Sequence, residues 1–322
     1  MASTTIKPNI IPISETISVP DVNLLTKPPL KWVGGKTQII QQVLKVFPRQ
    51  IQNYHEPFVG GGSVLLAVLS LVRTGHLQVN GTIHASDLNP NLINFYQTLQ
   101  QRPVELAHEI SRLRNTYDEI QGTSVNRRPT SLAEALTSKE SYYYWIRQQY
   151  NLSASTPHTV LVAAYFVFLN KTCFRGIYRE GPNGFNVPYG HYARTPNMLS
   201  VKQAQQLSEL LQGVCFKVAD FETSLALAQP GDWVYLDPPY VPENDTSFVG
   251  YNSDGFNFET HLRLFCELHR LTQQDIHFAM SNAMVPIITA EFSNYQLHPI
   301  QARRAINSKN PASTTTEVLV VG

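Results

Sequence analysis

The sequence predicts an α/β protein: a mostly parallel sheet closed by a C-terminal antiparallel hairpin and interrupted by an inserted, mostly helical segment. Three observations carry that expectation. Strand-like and helix-like stretches alternate over about residues 54–99 and again after residue 200, the order that builds a parallel sheet. From about residue 100 to 199 the alternation gives way to helical patterns and a glycine-, proline- and arginine-rich loop. The last two strand-like stretches, "NYQLHPIQA" and "EVLVVG", follow one another with no helical pattern between them, which suggests a hairpin.

In chain order, residues 1–26 carry scattered prolines, Ser/Thr and short apolar pairs, and read as a loosely ordered extension without a signal-peptide core. "WVGGKTQI" at residues 32–39 looks at first like the tail of a nucleotide-binding P-loop. That reading fails because Leu30 stands where the first glycine should be, and two prolines occupy the place of the feeding strand. "NYHEPFVGGGSVLLAVLSLV" reads as a strand ending at Phe58 and Val59, three glycines, and an apolar helix from about Ser63. "GTIHASDLNPNLINFYQTL" repeats the form: a strand running to Asp87, then Asn89 and Pro90 suited to N-cap and N1 of a helix whose face is Leu92, Ile93, Tyr96 and Leu99. The inserted segment holds a helical face at Leu106, Ile110 and Leu113 and the aromatic cluster "SYYYWIRQQYN". Ser200 is a plausible N-cap for "VKQAQQLSELLQ", after which "VCFKVADFE", "DWVYLDPPY", a helix through Leu262, Phe265 and Leu268, and "DIHFAMSN" resume the alternation.

Composition narrows the function. The formal net charge of +1 gives no global field toward nucleic acid or an anionic membrane, so any basic face must be local. The longest apolar runs, 64–72 and 160–169, are about half of the ~20 residues a membrane-spanning helix needs. Cys173, Cys215 and Cys266 are widely spaced and fit buried thiols of a reducing cytoplasm; the ten histidines are scattered, and no metal is expected.

"YLDPPY" at residues 235–240 is the most informative segment. Asp237 ends an apolar strand, where ligands of open α/β sheets bind, and the two prolines stiffen the turn while removing two backbone donors. Hydrogen-bond acceptors dominate there. Such a site suits a planar amino group, whose lone pair is otherwise delocalised into its ring. Its two N–H groups could bond the Asp237 carboxylate and the Pro238 carbonyl while Tyr240 stacks on the ring. The plain alternative is a proline-stiffened turn with a capping Asp. "EPFVGGG" followed about 25 residues later by Asp87 matches a glycine loop for close ligand approach and an acid for ribose hydroxyls. Leu65 stands where a dinucleotide fingerprint would place its third glycine, which disfavours hydride transfer with NAD.

Taken in order, "KWVGGK" (31–36), "EPFVGGG" (56–62), Asp87, Asp220 with Phe221, "DPPY" and "SN" (281–282) resemble the Dam-type DNA adenine N6-methyltransferases, the D12 class or alpha group of amino-methyltransferases. The resemblance covers residues 27–322 and includes "LNKTCFRGIYRE…GFNVPYG" (169–190), similar to the DNA-recognition hairpin of that family. It implies a Rossmann-like S-adenosylmethionine-dependent sheet in 27–99 and 200–322, with an inserted target-recognition domain in 100–199. Transferred residue by residue, it makes Trp32 and Lys36 cofactor contacts, places Phe58 and Gly60 at the methionine end, Asp87 at the ribose, and Asp220 with Phe221 at the cofactor adenine. Asp237, with Pro238 and Tyr240, would lie between cofactor and target base. Trp32 as a packing aromatic and Asp220 as a strand-end cap are the plainer readings.

An enzyme acting on the paired amine of adenine must extrude the base; Tyr240, helped by Tyr251 or Phe256, would receive it. Residues 166–204 hold Lys171, Arg175, Arg179, Arg194 and Lys202 against Glu180 alone among acids, a local basic excess. Arg303, Arg304 and Lys309 form a second acid-free patch in the terminal hairpin. The resemblance puts Arg179 at the place of a guanine reader and Phe174 at that of a wedging aromatic. It departs from relatives at Arg175 and His191, and its implied target is GATC in double-stranded DNA. "SYYYW" is read as helix packing in preference to a base-stacking platform. A monomer or weak dimer without membrane or metal partners is expected. The competing readings are methylation of another nucleobase or RNA, and a DNA-binding protein without catalysis.

Overall fold

The computed structural model describes residues 16–19, 21–153, 159–242, 256–303 and 314–322. Its centre is a seven-stranded sheet. In chain order the strands are β1 (Tyr54–Glu56), β2 (Ile83–Asp87), β3 (Val214–Val218), β4 (Trp233–Leu236), β5 (His277–Ala283), β6 (Gln296–Arg303) and β7 (Thr314–Val321). In space they run β6-β7-β5-β4-β1-β2-β3. The pairs from β3 across to β5 are parallel, and β7 lies antiparallel to both β5 and β6.

Side chains alternate along each strand, so register decides what meets on a face. Tyr54 is opposite Trp233, Tyr235 opposite Ala279, and Ala283 opposite Glu317. The same face therefore carries Tyr54, Glu56, Tyr235, Ser281 and Glu317, with Asp237 just past the end of β4. Strands β1 and β4 are buried throughout, and β5 from Phe278 onward, as expected of a sheet covered on both sides.

Local chemistry sets the helices. Helix α1 (Ser63–Arg73) leaves the glycine loop through Gly62, whose φ of 72° is left-handed. Helix α2 (Pro90–Gln101) starts from an Asn89 cap with proline at its first position, and its apolar face Leu92, Ile93, Tyr96 and Leu99 is fully buried. Helices α3 (Pro103–Glu119), α4 (Lys139–Leu152) and α5 (Val160–Thr172) make up the long helical stretch, and α3 packs on α5. The tyrosines of "SYYYW" lie in α4, with Tyr142, Tyr143 and Tyr144 buried against neighbours such as Phe168 and Tyr189. They have no exposed platform to offer. Ser200 forms a reciprocal capping box with Gln203 at the start of α6 (Val201–Leu211). Two expected thiols differ: Cys173 is buried, but Cys215 and Cys266 are exposed. Cys215 lies on β3, the edge strand, where alternate side chains face out.

Among the described residues no helix is long and apolar enough to cross a membrane, and no cluster of three or more His, Cys, Asp or Glu is arranged to hold a metal ion.

Candidate active site

Strand β4 delivers Asp237 to the sheet tip because its four residues are wholly apolar or aromatic and buried, and Pro238 and Pro239 then stop the ladder. Lys36 Nζ lies 2.7 Å from both carboxylate oxygens of Asp237, donating to Oδ2, and also donates to Gly34 O at 2.6 Å. Lys36 is itself buried. The backbone after the motif is pinned by Asn282, whose Oδ1 accepts from Val241 N at 3.0 Å. Tyr240 donates its hydroxyl to Glu317 Oε2 at 2.8 Å, and Lys36 Nζ stands 5.0 Å from the Tyr240 ring centre.

These groups perturb one another. Burial raises the pKa of Asp237 above the ordinary carboxylate value; Lys36 pulls it back down and Glu317 pushes it up. Glu56, buried and accepting from Tyr54 Oη at 2.7 Å, is pushed up from 4.5 to about 8, by burial first. At neutral pH it is largely protonated, which spares the tip another negative charge.

The glycine loop sits beside the "KWVGGK" leader. Gly60 has φ of 47°, and a Cβ there would meet Trp32 Nε1 at 2.9 Å; one on Gly61 would meet Trp32 Cβ at 2.6 Å. The glycines are thus required by the approach of Trp32, in part by left-handed backbone. Gly60 N donates to Asp87 Oδ2 at 3.1 Å, and Asn89 N to Asp87 Oδ1 at 3.0 Å. Burial raises the pKa of Asp87, and these backbone donors oppose the rise. Phe58 stacks on Phe221, with ring centres 5.8 Å apart, and Phe256 packs edge-on to Phe58. Asp220 caps the short helix α7 (Phe221–Leu225), and Arg263 Nη2 reaches its Oδ2 at 3.3 Å.

The leader also ties this region to the hairpin of residues 173–190. Asn170 Nδ2 donates to Lys31 O at 2.6 Å and its Oδ1 accepts from Lys31 N at 2.9 Å. Lys31 Nζ donates to Lys171 O and to the Tyr192 hydroxyl. Trp32 stacks on Tyr178 of the hairpin at 5.8 Å. Phe174 projects with 44% of its surface exposed. Arg175, in left-handed backbone, lies over the Phe174 ring at 5.2 Å. Arg179 is exposed, its Nε donating to Asn186 Oδ1 at 2.6 Å.

The structure therefore brings Lys36, Asp237, Pro238 and Tyr240 into one cluster. Trp32 and Gly60 touch in a second that Asp87 closes, and Phe58 packs with Phe221 beside Asp220. Phe174, Arg175 and Arg179 stand apart on the hairpin. Lys171, grouped from sequence with the exposed basic residues, is instead partly buried beside Lys31, which helps lower its pKa to about 8 after burial itself. Arg304, Lys309 and Tyr251 lie outside the described residues. Sequence reasoning missed Glu317 and gave Asn282 no role. The signal for Glu317 was an acid opening the otherwise apolar "EVLVVG".

Comparison with known proteins identifies the family. The family described as D12 class N6 adenine-specific DNA methyltransferase matches residues 32–306. Similar proteins include the type II methyltransferase M.MjaIII of Methanocaldococcus jannaschii, 33% identical over 88% of this chain and 93% of the relative. Retron Ec67 DNA adenine methylase of Escherichia coli is 31% identical over 91% of this chain and 90% of its own. The DNA adenine methylase of Haemophilus influenzae is 26% identical over 88% and 89%. With the family matched over most of its length, the chain belongs to the D12 class of N6 adenine-specific DNA methyltransferases and is an adenine-specific DNA methyltransferase.

Proposed function

We propose that this enzyme transfers a methyl group from S-adenosylmethionine to the exocyclic N6 amine of an adenine everted from duplex DNA, with GATC as the target. The observation that carries the reading is the carboxylate of Asp237, set at the tip of a central strand and paired with a buried lysine that also stands over the Tyr240 ring. In this reading one amine N–H bonds Asp237 and the other the carbonyl of Pro238, holding N6 with its lone pair directed at the incoming carbon. Tyr240 stacks on the everted base. Positioning supplies much of the rate, because the displacement needs little more than in-line geometry.

S-adenosylmethionine supplies an activated methyl carbon on a sulfonium. The donor set fits it: Lys36 is a cation able to pair with a carboxylate, and Asp87 retains oxygen lone pairs beyond the backbone donors it accepts. Trp32, Lys36, Phe58 and Gly60 would hold the methionine part, Asp87 the ribose, and Asp220 with Phe221 the adenine. In this structure the Lys36 ammonium is engaged by Asp237, so a cofactor carboxylate would have to share it.

The segment 100–199 is proposed as the target-recognition part, with Phe174 wedging into the duplex, Arg179 reading guanine, and Arg175 and Arg304 on the DNA. Exposure of Phe174 and Arg179 on one hairpin supports this. The test is methyl incorporation from labelled S-adenosylmethionine into duplex DNA, followed by methylation-sensitive sequencing. N6-methyladenine confined to GATC supports the full reading; methylation elsewhere overturns the site, and no transfer overturns the reaction.

A further inference from the structure

Glu317 stands where β7 turns from polar to apolar, directly after Thr314, Thr315 and Thr316. The four residues after it, Val318 to Val321, are buried and apolar, and its neighbours across the ladder are Ala283 and Ile300. Glu317 itself is half-buried, which partly shields a hydrogen bond to its carboxylate from water. Among the described residues it has no ion pair, and its partner is the hydroxyl of Tyr240, 2.8 Å from Oε2. That contact joins β7, near the chain end, to the loop that follows Asp237, across 77 residues of sequence.

Tyr240 needs such a tether. It follows two prolines and lies beyond the end of β4, so the sheet ladder does not hold it. Its backbone is held one residue later by Asn282, and one side of its ring faces the Lys36 ammonium at 5.0 Å. The ring also packs against a neighbouring apolar cluster, which limits its swing without fixing the hydroxyl at its far end. A hydrogen bond from the hydroxyl to a group on the rigid sheet removes that freedom, and a hydrogen bond to a charged acceptor is stronger than a neutral one.

We propose that Glu317 is a positioning residue of the methyl-transfer site: it anchors the Tyr240 hydroxyl to the sheet so that the ring is fixed to receive the target base. The proposal rests on the reading that Tyr240 stacks on that base, and the experiment separates the two.

Full-length E317A, E317Q, Y240F, Y240A and the E317A/Y240F double variant are assayed for kcat, for KM of S-adenosylmethionine, for duplex affinity and for thermal unfolding. E317A and Y240F, which delete the same contact from opposite ends, each lower kcat by about tenfold with KM for S-adenosylmethionine unchanged. The double variant is no slower than either single one, because the contact can be lost only once. E317Q, whose amide oxygen still accepts from the hydroxyl, keeps kcat within about threefold of the parent. A wild-type kcat in Y240F, a double variant whose losses multiply, or E317Q as slow as E317A overturns the proposal. Y240F carries no new cavity and no charge change, so it decides the matter even if E317A unfolds. If Y240A itself transfers methyl groups normally, the stacking reading fails. If Y240A is inactive while E317A is normal, Glu317 alone loses its role.

Discussion

The ammonium of Lys36 stands 2.7 Å from both oxygens of the Asp237 carboxylate, joining the leader that resembled a P-loop to the tip of the central strand. The lysine pairs with a half-buried carboxylate rather than cradling phosphate. Through Trp32 and Lys31 the same leader touches the glycine loop and the base of the hairpin. One short segment thus connects three parts of the site.

Lys36→Met removes the cation that opposes the burial-driven rise in the Asp237 pKa. Burial already raises that pKa and Lys36 opposes the rise, so without the lysine it climbs further. The base form is the working form, and activity falls as pH drops through the pKa. The acid limb of the kcat/KM profile should therefore move to higher pH. A limb at the wild-type position would show that the pair does not tune the reaction.

Glu56 links stability to pH. Its folded pKa, about 8, exceeds its ordinary 4.5, so the folded protein retains a proton that the unfolded chain releases. Its contribution to stability is complete below 4.5 and is lost as pH rises toward about 8. Glu56→Gln mimics the protonated acid and should flatten the fall in urea midpoint between pH 5 and 8. Equal slopes in parent and variant would place the pH dependence elsewhere.

Gly61→Ala tests the contact between leader and loop. The new Cβ would lie 2.6 Å from Trp32 Cβ, so the leader must shift. Overpacking of this kind costs about 1–3 kcal/mol. The expected outcome is a KM for S-adenosylmethionine raised by about tenfold, measured from initial rates at saturating DNA. An unchanged KM would separate Trp32 from cofactor binding.

Arg179→Ala should relax discrimination at one guanine of the target by about 1–3 kcal/mol while leaving transfer to the preferred site measurable. Competition among duplexes carrying single-base changes checks this. An unaltered order of preference would remove Arg179 from the readout.

Much of this was legible in the chain. The cap residues Asn89 and Ser200 and the apolar run before Asp237 each act through near neighbours, and the structure has them where local chemistry puts them. What was illegible depends on register across the sheet. Nothing near Glu317 in sequence says that β7 inserts beside β5 and brings it to Tyr240. Likewise, the spacing of "KWVGGK" gives Lys36 a long reach but no direction, and its pairing with Asp237 spans 201 residues. Lys171 and Cys215 were misjudged for the same reason, since burial is set by what packs alongside and not by residue type.

The account stands most directly on methyl transfer by Asp237→Ala measured together with its DNA affinity. Labelled methyl incorporation should fall by at least about a thousandfold, as when a group acting in the transition state is removed, while duplex affinity stays within about threefold. Near-normal turnover in that variant would contradict the placement of the reacting amine at the tip of the central strand.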